Sequence, residues 1–128
     1  MKRDSVKIDV KQIARLYRKF NRLWFNEWCP SQCIVTCGDN PPKGYRRGEV
    51  FSVSWVTRDA KKRVVANIWF DVTFNNLVII QQSLLHEMAH IFLESQCGIG
   101  MRHSGQEGTR FEAEIRRLFS VGAYEGLL

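Results

Sequence analysis

Leu84-Leu85-His86-Glu87-Met88-Ala89-His90-Ile91-Phe92 is the stretch on which the reading of this chain turns. Two histidines stand four residues apart, with a glutamate directly after the first. On a helix, positions i and i+4 share a face, so both imidazoles can reach one Zn²⁺. The glutamate then lies beside the metal, where it can take a proton from a bound water. The flanking residues supply the helix. Leu77, Val78, Ile80, Leu84, Leu85, Met88, Ile91 and Phe92 make the run from about Asn75 to Gln96 apolar around much of its circumference. A central, buried helix is therefore predicted, with Gly98 as its stop. A histidine pair held by packing rather than by a loop has the rigid support that a metal site needs.

The chain has three histidines, and the third is His103. It lies in an irregular stretch, Cys97 to Gly108, that contains four glycines. Folded back over the pair, His103 would complete a three-histidine site with one open position. That is the arrangement of a catalytic zinc rather than a closed structural one. Glutamates are the alternative third ligands. Glu94 is one turn past His90 on the same helix, too straight a line for a tetrahedral site, and Glu107, Glu112 and Glu114 come later. His103 is preferred on ligand type and on its place in a loop. The extended metzincin pattern fails, because Leu93 and Gln96 stand where it needs Gly and His. The site so read holds one catalytic Zn²⁺, with His86, His90 and His103 as ligands and Glu87 as general base. Tyr45, Tyr124 and several arginines are candidates for the donor that an oxyanion would need.

Upstream, Ile13, Leu16, Tyr17, Phe20, Leu23, Trp24 and Trp28 recur at helical spacing between about Asp9 and Trp28. They predict an amphipathic helix with an aromatic buried face, stopped by Pro30. Lys11, Arg15, Arg18 and Arg22 keep the same spacing on another face, either as a solvated side or as a ridge for phosphates. The middle of the chain reads as β. Cys33 to Cys37 is a short strand, followed by the breaker-rich loop Gly38 to Gly44. From Gly48 to Thr57, Phe51, Val53 and Trp55 alternate with Ser52 and Ser54. Arg63 to Phe70 is a third strand, and the polar connector 58–62 predicts an antiparallel hairpin with Lys61, Lys62 and Arg63 at its tip. After the loop bearing His103, Thr109-Arg110-Phe111-Glu112 matches a capping box. Phe111, Ile115, Leu118 and Phe119 form the stripe of a last helix, which Gly122 ends. The expected architecture is α+β: an amphipathic helix, a small antiparallel three-stranded sheet, the central histidine helix and a closing helix, in a single domain over 1–128.

At 128 residues, 45% hydrophobic and 25% charged, the chain has the balance of a soluble domain. No apolar run is long enough to span a bilayer, so no membrane partner is expected. The charged N-terminus is unlike a secretory signal, which makes a cytoplasmic location the expectation. A net charge of +6 favours an anionic partner, with nucleic acid the obvious candidate. Of the four cysteines, Cys29, Cys33 and Cys37 are spaced by four, unlike a zinc ribbon or a redox pair. They read as buried free thiols, in keeping with an intracellular setting.

With these residues in hand, the chain resembles the SprT-like metalloprotease domain of the Spartan-type proteases, from about Tyr17 to Leu128. The resemblance rests on Phe25-Asn26 near the end of the first helix, the small sheet, Leu84-Leu85-His86-Glu87-Met88-Ala89-His90, and then His103 and Phe111. Family members often have Gly directly after the third His, where this chain has Ser104 and then Gly105. The resemblance implies a compact zincin-like α+β zinc protease domain, with His86, His90 and His103 as ligands and Glu87 as acid/base. It also implies proteolysis of protein or peptide substrates near DNA, which would give Lys11, Arg15, Arg18, Arg22, Lys61, Lys62 and Arg63 a role. The chain would be a minimal domain, without a C-terminal zinc ribbon. A non-catalytic zinc-containing module that binds nucleic acid or protein is the rival from another class. A hydrolase for a non-peptide amide bond is a third reading.

Overall fold

Six elements follow one another in the computed structural model: α1 (Val10–Trp24), β1 (Gln32–Gly38), β2 (Ser52–Arg58), β3 (Val64–Asp71), α2 (Leu77–Cys97) and α3 (Gln106–Ser120). Residues 9–46, 48–71, 76–97 and 106–127 are described, the side chains of 97 and 106–108 excepted. Among the described residues no helix is long and apolar enough to cross a membrane.

Asp9 caps α1, its carboxylate accepting from the Lys11 backbone N–H at 2.9 Å. Ile13, Tyr17 and Phe20 then turn one stripe into the core. The helix stops at Trp24 rather than at Trp28. Asn26 and Glu27 adopt positive φ of 52° and 60°, a left-handed turn that no α-helix continues through. The turn is fixed from inside. Buried Asn21 exchanges two 3.1 Å hydrogen bonds with the backbone of Cys29, and the Tyr17 hydroxyl donates to the Pro30 carbonyl at 2.6 Å. Trp28, expected on the buried face, is consequently 56% exposed.

The sheet is mixed, which corrects the expectation of an antiparallel one. β2 and β3 do form the antiparallel hairpin, with Ser52 opposite Phe70 and Arg58 opposite Val64. β1 does not join β2. It pairs with the other edge of β3 in parallel, from Gln32 opposite Val65 to Gly38 opposite Asp71, giving the order β1-β3-β2. The cause is the apolar content of β3, which is buried continuously from Val65 to Asp71. A strand apolar on both faces belongs in the middle of a sheet, where both of its edges are paired. β1 ends at Gly38 and β2 begins at Ser52, on opposite edges of β3 and so two strand spacings, about 10 Å, apart.

One core unites the elements. Ala66, Ile68 and Phe70 of β3 meet Tyr17 and Phe20 of α1, Leu84, Leu85, Met88 and Ile91 of α2, and Leu118 of α3. The four α2 side chains are fully buried, each a contribution of about 1.5–3 kcal/mol relative to exposure. This anchors the middle of α2, where the histidines sit. Asn76 caps that helix, accepting from Val78 N–H at 2.9 Å and from Ile79 N–H at 3.2 Å. α3 begins at Gln106, so Thr109 is already helical and the predicted box does not act as a cap, which needs a non-helical first residue. Gly122, at φ 89°, ends the run as expected, with Ala123 N–H donating to the Leu118 carbonyl at 2.9 Å.

Cys29, Cys33 and Cys37 are free thiols. Burial pushes all three up, Cys33 to about 12.

Candidate active site

The packing of α2 decides where its polar residues point. Leu84, Leu85, Met88 and Ile91 face the core, which turns His86 outward and leaves His90 half-buried. Their Nε2 atoms approach to 3.2 Å. Two nitrogens bound to one tetrahedral Zn²⁺ at about 2.0–2.1 Å would stand about 3.3–3.4 Å apart. The pair therefore has the bite of a zinc site, and the donor chemistry fits. Phe111 of α3 fixes the rings. It stacks on His90 at 4.0 Å between centroids, 10° from parallel, and meets His86 at 5.0 Å nearly at right angles. A ring stacked on the face of an imidazole leaves the in-plane lone pair of Nε2 open, and coordination uses that lone pair.

His103 lies outside the described residues. Among the described residues no group of three or more His, Cys, Asp or Glu gathers as a metal cluster. Of the alternative glutamates, the side chain of Glu107 lies outside the described residues and the other three differ in setting. Glu114 is taken by Arg117, which donates to its two oxygens at 2.9 and 2.6 Å. Glu112 is exposed, whereas Glu94, one turn past His90, is buried.

Glu87, next in sequence to His86, sits about a quarter turn round the helix and so faces β2. It is 5% exposed. Ser52 Oγ donates to Oε2 at 2.7 Å and Ser54 Oγ to Oε1 at 2.5 Å. One hydroxyl on each oxygen fixes the carboxylate plane. The alternation of β2 held the signal for this pair. Ser52 and Ser54 stand opposite Phe70 and Ile68, both core residues, so the polar face of β2 is the one turned toward α2. Charge spacing and motif matching do not find the serines. Their partner becomes apparent only when the hairpin register is set against the helix.

Two cavities flank the His86–Glu87 pair. The larger, about 710 Å³, reaches Tyr124 and the first turns of α2. The smaller, about 230 Å³, extends past Ser54 to Tyr45 and His90. The two tyrosines singled out in the sequence thus each line one of these cavities, and no arginine lines either cavity among the described residues. Burial pushes the Tyr124 hydroxyl up, so it remains a proton donor at neutral pH.

The basic residues stand apart from this centre. Lys11, Arg15, Arg18 and Arg22 are all exposed on α1, which packs against β1, the sheet edge remote from β2. Lys61, Lys62 and Arg63 are exposed at the hairpin tip, at the other end of β2 from Ser52. Arg63 is committed to Asp59 at 2.9 Å, and hydrogen bonding from Arg63 N–H holds that carboxyl below the usual range.

Comparison with protein-family models, curated proteins and solved structures gives no match.

Proposed function

We propose that this chain is a zinc-dependent endopeptidase of the SprT-like, zincin-like kind, and that it hydrolyses peptide bonds across the cleft between α2 and β2. The observation that carries the reading is the convergence of the His86 and His90 Nε2 atoms at 3.2 Å beside a buried, hydroxyl-held Glu87. His86 and His90 would hold the metal, with His103 as the proposed third ligand. A zinc ion bound there supplies Lewis acidity, polarising a carbonyl and acidifying water.

The chain's own groups do the rest. Glu87 receives the proton of the attacking water on a carboxylate oxygen. As the water oxygen bonds to the carbonyl carbon and the C–N bond breaks, Glu87 passes that proton to the leaving nitrogen. Ser52 and Ser54 keep the carboxylate oriented for both transfers. Tyr45 and Tyr124, one in the lining of each cavity, are the candidate donors for the carbonyl oxygen, where charge develops. The exposed row Lys11, Arg15, Arg18 and Arg22 supports DNA-associated proteins as the substrates.

The test compares the wild-type protein with Glu87→Gln and His103→Ala. Glu87→Gln should retain one zinc per chain by elemental analysis and lose cleavage of casein. His103→Ala should lose the zinc. Equal casein cleavage by wild type and Glu87→Gln would overturn the peptidase reading in favour of a non-catalytic zinc module.

A further inference from the structure

The two cavities beside His86 and Glu87 differ threefold in volume and also in character, and that asymmetry bears on which peptides fit. The larger lies within the range of about 300–1,000 Å³ typical of ligand sites. Its walls come from three parts of the chain. Val50, Phe51 and Ser52 lead into β2, Ile79 and Ser83 lie at successive turns of α2 before His86, and Tyr124 completes the lining. Ile79, Ser83 and His86–Glu87 are spaced by four and by three or four, so they share one helical face that runs from pocket to reacting centre.

The Tyr124 wall is held from behind. Tyr124 stacks on Phe119 at 4.3 Å, and Gln82 Nε2 donates to the Leu127 carbonyl, fixing the last turn against α2. Two large apolar residues of the lining remain in solvent, Phe51 at 60% and Ile79 at 41% exposure. Apolar surface left open at the edge of a reacting centre is surface that a ligand covers. Glu87 is the only acidic residue in this lining, no lysine or arginine lines it among the described residues, and the carboxylate already receives both serine hydroxyls. An acidic side chain entering the pocket would therefore find no lysine or arginine to pair with. The smaller cavity, with Ser54 and Tyr45, offers about a third of the volume.

We infer that the cavity lined by Val50, Phe51, Ile79 and Tyr124 is a side-chain subsite that takes one large apolar residue, such as Leu or Phe, of a peptide lying across His86 and Glu87. The inference rests on the peptidase reading for its consequence, a preference for that residue on one side of the cleaved bond only. Its binding component stands by itself. Ile79 is the residue to alter, because it lines the pocket, is partly exposed and touches neither the histidines' donor atoms nor Glu87's hydrogen bonds.

The experiment has two readouts. In the first, a blocked hexapeptide library is digested with zinc-loaded wild-type protein and the cleavage sites are mapped by mass spectrometry. One position flanking the cut should favour Leu or Phe over Asp or Gly by about tenfold or more, the discrimination that a hydrophobic pocket gives. Ile79→Lys should shift that position toward Asp and Glu while still cutting peptides with Gly there. Ser83→Phe, which fills the pocket, should lose Phe and keep Ala. In the second readout, blocked peptides differing only in one Gly, Asp, Leu or Phe are titrated into Glu87→Gln by NMR. Leu and Phe peptides should shift the Ile79 methyl and Tyr124 ring signals, and adding Ile79→Lys should abolish the shift of the Tyr124 ring. Binding with this preference but no cleavage by wild type would keep the subsite and overturn the peptidase reading. Equal response to all four peptides in both readouts, or a preference unchanged in Ile79→Lys and Ser83→Phe, would overturn the subsite.

Discussion

Glu87 and Glu114 are both buried, at 5% and 7% exposure, and they sit in opposite chemical settings. Glu114 meets a guanidinium. Arg117 binds both of its oxygens, spans to the Trp24 carbonyl at 2.8 Å and lies 5.5 Å over the Phe25 ring. Its charge is neutralised, and it ties α3 to the end of α1. The hydrogen-bond partners of Glu87 are two neutral hydroxyls, which fix its geometry and bring no opposite charge. Burial alone does not separate the carboxylate that ties α3 to α1 from the one proposed as general base. The charge of the partner does.

The sharpest way to break this contrast is to neutralise each carboxylate in turn. Glu87→Gln should reduce casein cleavage by about 10²–10⁴-fold, the usual share of a general acid/base, with little change in thermal midpoint. Glu114→Gln should do the reverse, lowering the midpoint while cleavage continues. If both variants lose stability and neither loses activity, the two sites are not different in kind.

Next in size is Arg117→Ala. It leaves a buried acceptor charge unpaired, a loss of about 2–3 kcal/mol in urea unfolding, reduced from the fully buried case because Arg117 is itself partly exposed. Zinc content should not change. A smaller effect is expected from Ser52→Ala with Ser54→Ala. Losing the hold on Glu87 should cost about tenfold in kcat, the equivalent of one hydrogen bond to a charged group at about 1.5 kcal/mol, with KM unchanged. Ser54→Thr, which keeps the hydroxyl, should restore most of it. A lowered midpoint with kcat per folded molecule unchanged would instead make the serines part of the folding core alone.

The last effect, confined to alkaline pH, is a pH dependence shared by neither carboxylate. Burial raises the Cys33 thiol from 9.0 to about 12. The folded protein therefore keeps a proton that the unfolded chain loses, and stability falls as pH rises through that window. Cys33→Ala should flatten the decline between about pH 9 and pH 12 in denaturation measured against pH. An unchanged slope would place the loss on other groups.

Much of this molecule is legible in its residues. The apolar circumference of 77–92 places α2 at the centre, and the i, i+4 histidines share a face because 3.6 residues make a turn. The hairpin follows from alternation and a short polar connector. The rest depends on contacts between elements. The parallel pairing of β1 with β3 rests on which strand is most apolar on both faces, a comparison across the whole sheet. The early end of α1 depends on Asn21 reaching the backbone of Cys29, eight residues on. Ser52 and Ser54 read as the polar side of a strand, which is ordinarily the solvent side, until the register turns them to Glu87.

The sequence by itself determined the reactive vocabulary: a histidine pair at helical spacing, a glutamate between its members and a helix apolar enough to be buried. Local periodicity is enough for that, because it is set by backbone geometry alone. Only the tertiary structure decided how Glu87 is held, which buried glutamate is tied up by Arg117, and that a large apolar pocket opens on one side of His86. Those features join residues 35 positions apart in one pair, Ser52 and Glu87, and bring 50–52, 79–87 and 124 together in the other. No periodicity encodes such distances, and packing one face of β2 against α2 fixes them.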